Sequence, residues 1–142
     1  MIYWFTGQPA HGKTVLAKKL SYWLNENKHT LPFMIDGDDM RELFSIKGRV
    51  ENVGTAQRIA HYLHNQGKDV IVALVSPYID QREEFKKLLG DNLVEIYVHT
   101  TDTRERDHFK AEAYIAPKDN FIDIDTTDDT PEQSYKELLS QL

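Results

Sequence analysis

Ile2-Tyr3-Trp4-Phe5-Thr6 runs directly into Gly7-Gln8-Pro9-Ala10-His11-Gly12-Lys13-Thr14, and that junction decides the fold. The β-branched and aromatic run before Gly7 reads as a short buried strand. From Lys13 the period changes, because Val15, Leu16, Leu20, Trp23 and Leu24 share one helical face. Between strand and helix lies the Walker A spacing G-x-x-x-x-G-K-[ST]. In such a loop the backbone N–H groups curl around a phosphate, where the following helix also points its positive end. All eight residues, Gly7 to Thr14, are therefore candidates for holding the phosphates of ATP. Lys13 would reach the β- and γ-phosphates, and the Thr14 hydroxyl would ligate Mg²⁺.

Outward from the loop, apolar runs and helical patterns alternate. Pro32-Phe33-Met34-Ile35 reads as a second strand, cut off by Asp36-Gly37-Asp38, with a short helix over 39–44. The spacing of Val53, Ala56, Ile59, Ala60 and Leu63 predicts a helix over 52–65. Val70-Ile71-Val72-Ala73-Leu74-Val75 is continuously apolar, as in a central strand covered on both faces. Helix 80–89 with Gly90 as its C-cap, strand 93–98, helix 103–113 and strand 121–124 follow. Thr130-Pro131-Glu132-Gln133 carries a cap, a proline at the first helical position and a box residue, opening a last helix. Alternation of this kind specifies βαβ units. The expected fold class is a three-layer α/β domain with a central five-stranded parallel sheet between helices.

The 142 residues accommodate one domain, 1–142. Seventeen Lys+Arg against 23 Asp+Glu leave a net charge of −6, which argues against a protein that grips nucleic acid. The absence of cysteine excludes disulfides, thiolate zinc sites and a cysteine nucleophile. His61 and His64, three apart on one predicted helix, have no evident third ligand for zinc. No apolar run approaches the roughly 18 residues that span a bilayer, and a functional loop as early as Gly7 excludes a signal peptide. The expectation is a cytoplasmic domain with a small-molecule partner, no nucleic acid and no membrane; a homodimer stays open.

A guanine-specific switch protein would carry Asn-Lys-x-Asp after a late strand. Here the lone Asn-Lys, at Asn27-Lys28, precedes the second strand and lacks the Asp. What remains is a compact phosphotransferase whose acceptor is recognised beyond the second and third strands. Asp36 and Asp38 sit at a strand's carboxyl end, the rim where α/β proteins bind ligands. A carboxylate there can orient an acceptor hydroxyl, take its proton and touch the Mg²⁺ shell, although Asp38 also suits an N-cap. Arg41, Arg49 and Asn52 near the same rim suit an anionic, nucleotide-like acceptor, because Arg forks match phosphate or sulfate oxygens.

Taken in order, Gly7–Thr14, Asp36-Gly37-Asp38-Asp39-Met40-Arg41, Arg49-Val50-Glu51-Asn52 and Val75-Ser76-Pro77-Tyr78 with Arg82 resemble the motifs of adenylylsulfate (APS) kinases. Val94-Glu95-Ile96-Tyr97-Val98 and Arg106-Asp107 continue the likeness less specifically, and it resumes weakly from Ala116-Pro117 through Asp125-Thr126. The resemblance implies a P-loop kinase fold and transfer of the ATP γ-phosphate to the 3′-hydroxyl of APS, giving 3′-phosphoadenylylsulfate (PAPS), a step of sulfate assimilation. It makes Asp38 the acceptor-activating carboxylate and a metal ligand with Thr14, supported by Asp36 and Lys13. It gives Arg41, Arg49 and Asn52 the acceptor's phosphosulfate and ribose, and Phe44 its base. Ser76 would lie near the transferred phosphate, and Arg106 near the adenine of ATP.

The family's lid region departs most. Around 106–117 the segment is reduced, the Phe-Thr-Gly-Ile run is absent, and Gly54-Thr55 stand where the family has paired arginines. Lids exclude water and complete phosphoryl-transfer sites. The alternatives are therefore a kinase for another nucleotide conjugate, cytidine- or adenosine-linked, and a catalytically silent nucleotide-binding module.

Overall fold

A computed structural model describes residues 1–101, 111 and 113–142. Its strands β1 (Ile2–Thr6), β2 (Phe33–Asp36), β3 (Val70–Ala73), β4 (Leu93–His99) and β5 (Ile122–Asp125) form one sheet in the order β2-β3-β1-β4-β5. Every pairing is parallel; Phe5 stands between Ala73 on one side and Ile96 on the other. The helices are α1 (Lys13–Lys28), α2 (Gly37–Phe44), α3 (Arg49–Asn65), α4 (Ile79–Leu89) and α5 (Pro131–Gln141). Because β1 is central, its carboxyl end opens between the chain's turns to either side, the place where α/β sheets hold ligands.

Alternate residues of the strands feed two separate cores. Ile2, Trp4, Val70, Val72 and Leu74 pack with Val53, Ala56, Ala60, Phe85 and Leu89 under α3 and α4. Phe5, Ile71, Ala73, Ile96, Val98 and Ile124 pack with Leu16, Leu20, Leu24 and Leu138 of α1 and α5. This double coverage is why β3 reads as an unbroken apolar run.

Several boundaries move for local reasons. Asp36 rather than Asp38 caps α2, because Asp36 is the last extended residue of β2 and its carboxylate accepts from the Asp38 N–H at 2.9 Å. The helix therefore starts at Gly37, two residues before expectation. α3 starts at Arg49 rather than at 52, with Gly48 extended before it. β3 stops at Ala73 because the Val75 carbonyl is taken by the Thr6 hydroxyl, at 2.9 Å, and by the Gly7 N–H. Val15, expected on the buried face of α1, is 46% exposed and faces a cavity. The capping box Thr130/Gln133 opens α5 and Gly90 ends α4, both as expected. The predicted helix 103–113 lies largely outside the described residues. Among those described, no helix is long and apolar enough to cross a membrane.

Candidate active site

The loop after β1 is built on backbone conformations that side chains resist. Gly7 has φ 150°, and a Cβ there would lie 2.1 Å from the Val98 carbonyl oxygen, so a hydrogen is all that fits. Gly12 (φ 106°) and Ala10 (φ 61°) turn the chain twice more before α1 begins. From outside, the Thr126 hydroxyl donates to the His11 carbonyl at 3.2 Å. From inside, the Lys13 ammonium donates to the Gln8 carbonyl at 2.7 Å, and Lys13 is buried.

The loop borders a cavity of about 790 Å³. Ala73, Leu74 and Val75 at the end of β3 also line it. On one side stand Asp36 and Asp38, Arg41 of α2, Lys47, and Arg49 at the start of α3. Across the loop stand Thr126, Asp129, Pro131 and Ser134, around the end of β5 and the start of α5. The Thr14 hydroxyl donates to Asp36 Oδ2 at 3.0 Å, while Asp38 is ion-paired with Arg41. Two hard oxygen donors that close together fit a Mg²⁺ ion, which takes such ligands.

The residues expected from sequence do not all meet in one place. Pro9–Thr14, Asp36, Asp38, Arg41 and Arg49 share the one cavity. Asn52 is 4% exposed close to Gly37, and its Oδ1 has no hydrogen-bond partner among the described residues; Phe44 is 54% exposed at the end of α2. Ser76 is turned away. Its hydroxyl is buried and accepts from the Trp4 indole N–H at 3.0 Å, and its carbonyl is held by Arg82 at 2.6 Å. Arg106 lies outside the described residues. The sequence reading overlooked Lys47, Thr126, Asp129, Pro131 and Ser134. Thr126 and Asp129 belong to a charged stretch that resembles any solvated loop; the rule placing ligands beyond strand ends, applied to β5 as to β2, finds them.

Parallel sheets in this order, with the first strand running into such a loop, belong to the P-loop kinases, and that is the class this fold defines. The family is narrower. The adenylylsulphate kinase family matches residues 1–137, and the chain belongs to it. It is 31% identical to the adenylyl-sulfate kinase of Staphylococcus epidermidis, over 99% of this chain and 83% of that one. It is 33% identical to the adenylyl-sulfate kinase of Pseudomonas aeruginosa, over 99% and 84%. Both alignments run over 167 positions although this chain has 142 residues, so each relative carries at least 25 residues (167 less 142) without a counterpart here. Among solved structures, the Mycobacterium tuberculosis APS kinase CysC, in complex with AMPPNP and APS, shares the fold with a TM-score of 0.79 at 23% identity, covering 98% of this chain and 95% of that one.

Proposed function

We propose that this chain transfers the γ-phosphate of Mg-ATP to the 3′-hydroxyl of adenylylsulfate, releasing ADP and 3′-phosphoadenylylsulfate. The observation that carries this reading is that one cavity joins the phosphate loop to a wall bearing both carboxylates and three cations, Arg41, Lys47 and Arg49. Loop N–H groups and Lys13 take the β- and γ-phosphates. Thr14 and Asp36, with Asp38 beside them, would hold Mg²⁺, which would supply positive charge to the phosphates. Asp38 accepts the proton of the acceptor hydroxyl as its oxygen bonds to the γ-phosphorus and the bond to the ADP oxygen breaks. Arg41, Arg49 and Asn52 hold the phosphosulfate and ribose. Phe44 stacks on the acceptor base and Arg106 serves the adenine of ATP, while Ser76 acts by shaping its loop. The kinase chemistry supports a cytoplasmic location, where ATP is the phosphate donor.

The residues without a counterpart here, and Gly54-Thr55, favour one second reading, in which the acceptor is another nucleotide conjugate. Incubation with Mg-ATP and a panel of acceptors, following ADP release, decides between them. ADP release dependent on APS supports the first reading. Release with a cytidine- or adenosine-linked acceptor and none with APS overturns it in favour of the second. No release with any acceptor, while Mg-ATP binds, would mark a silent nucleotide-binding module.

A further inference from the structure

Gln8 is the phosphate-loop residue whose side chain leaves the cavity. Its carboxamide makes two bonds to one backbone residue: Nε2 donates to the Ala111 carbonyl at 2.9 Å, and Oε1 accepts from the Ala111 N–H at 2.8 Å. Ala111 is 5% exposed. A few residues on, the same stretch is fastened again. The Tyr114 hydroxyl pairs with the Thr6 hydroxyl at 3.0 Å, and the Ile115 N–H donates to the Pro77 carbonyl at 3.0 Å. Arg82 donates to the Ile115 carbonyl and lies 5.3 Å from the centre of the Tyr114 ring. Thr6 and Gln8, on either side of Gly7, are thus tied to Tyr114 and Ala111.

We propose that Gln8 is a positioning residue for the nucleotide phosphates, acting through this two-bond clamp. The physical argument begins with the loop itself. Left-handed residues at Gly7, Ala10 and Gly12 keep it out of any helix or ladder, so its shape must be fixed from outside. A carboxamide that both donates to and accepts from one peptide unit fixes distance and orientation together, as a neighbouring strand does. What it fixes is residue 8, whose own carbonyl receives the Lys13 ammonium. The clamp therefore sets the place from which Lys13 reaches the phosphates, and Gln8 need not touch them.

The inference rests on the reading that this loop binds ATP, and the test separates the two. Equilibrium binding of Mg-AMPPNP, Mg-ADP and AMP is measured on the full chain and on Gln8→Leu, which keeps the bulk and loses both bonds. Two neutral hydrogen bonds lost predict a roughly tenfold weakening for AMPPNP and ADP. AMP, which lacks the phosphates that Lys13 reaches, stays within about twofold. Gln8→Glu, isosteric but with an acceptor facing the Ala111 carbonyl, shows the same loss and keeps the test alive if Gln8→Leu misfolds. In turnover, KM for ATP rises while KM for the acceptor holds. Equal weakening of all three nucleotides would mean a merely structural role and overturns the proposal, as does unchanged AMPPNP binding in both variants. If the unsubstituted chain fails to bind Mg-AMPPNP, the ATP reading itself falls, and the clamp with it.

Discussion

Asp36 and Asp38 are two residues apart and have different work. Asp36 is committed on both oxygens, one to the Asp38 N–H and one to the Thr14 hydroxyl, so it joins the start of α2 to the start of α1. Asp38 is exposed and ion-paired with Arg41 on the next turn. The two asparagine variants should therefore fail differently. Asp38→Asn loses the proposed proton acceptor, and kcat should fall by about 10²–10⁴-fold while Mg-ATP still binds. Asp36→Asn keeps a good helix cap and loses a proposed metal ligand, so its defect should appear as weaker Mg²⁺ dependence of ATP binding. Steady-state kinetics and a magnesium titration check both; unchanged turnover in Asp38→Asn would remove it from the chemistry. Lys13→Ala should abolish turnover. At Gly7 the expected failure is of folding rather than chemistry. An added methyl meets the Val98 carbonyl, and Gly7→Ala should cost about 3 kcal/mol in urea unfolding.

At the scale of elements, the parts with a local cause were the legible ones. The Walker A loop, the capping box at Thr130 and the C-cap at Gly90 each follow from neighbours within a few residues, and the structure has all three. The end of β3 was not legible, because it depends on Val75 reaching Thr6 across a long stretch of chain; the start of α2 was misplaced because Asp36 and Asp38 both suit a cap, and only the extended backbone of Asp36 decides between them. Ser76 shows the same limit at the site. Its motif places it at the rim, but Trp4, 72 residues away, draws its hydroxyl into the core. Closer in sequence, but again between elements, is the buried group formed by Arg82, Glu95 and Lys86, which ties α4 to β4. Arg82→Met leaves Glu95 with Lys86 alone and strips the donors from the Ser76 and Ile115 carbonyls, so it should cost about 3–5 kcal/mol, against about 1 kcal/mol for Thr130→Ala. Burial raises the Glu95 carboxyl above its usual 4.5, outweighing Lys86 and Arg82. The folded chain then holds that proton to higher pH than the unfolded one. Stability from this group is full below 4.5 and is lost as pH rises through the raised value. Unfolding free energies across that window should fall with pH, and more steeply than in Glu95→Gln.

The whole molecule sets two fields against each other. Its net charge of −6 repels an anionic acceptor at long range, while Lys13, Arg41, Lys47 and Arg49 line the cavity that receives it. These fields act over different distances, and salt removes the longer-ranged one first. At about 0.01 M ionic strength the screening length is roughly 30 Å, so an approaching anion feels the whole surface; near 0.1 M it is about 10 Å, and the cavity's cations dominate the last stretch of the approach. By about 1 M the length is near 3 Å and their attraction is screened as well. With Mg-ATP saturating, kcat/KM for APS should therefore rise from low to moderate ionic strength and then fall. Replacing Lys47 by Ala should lower the maximum and leave the rising limb, because that limb belongs to the molecule's net charge and the maximum to the cavity. A steady fall from the lowest ionic strength upward would show the cavity's field dominating at every distance, and would mean that the acidic surface plays no part in admitting the acceptor.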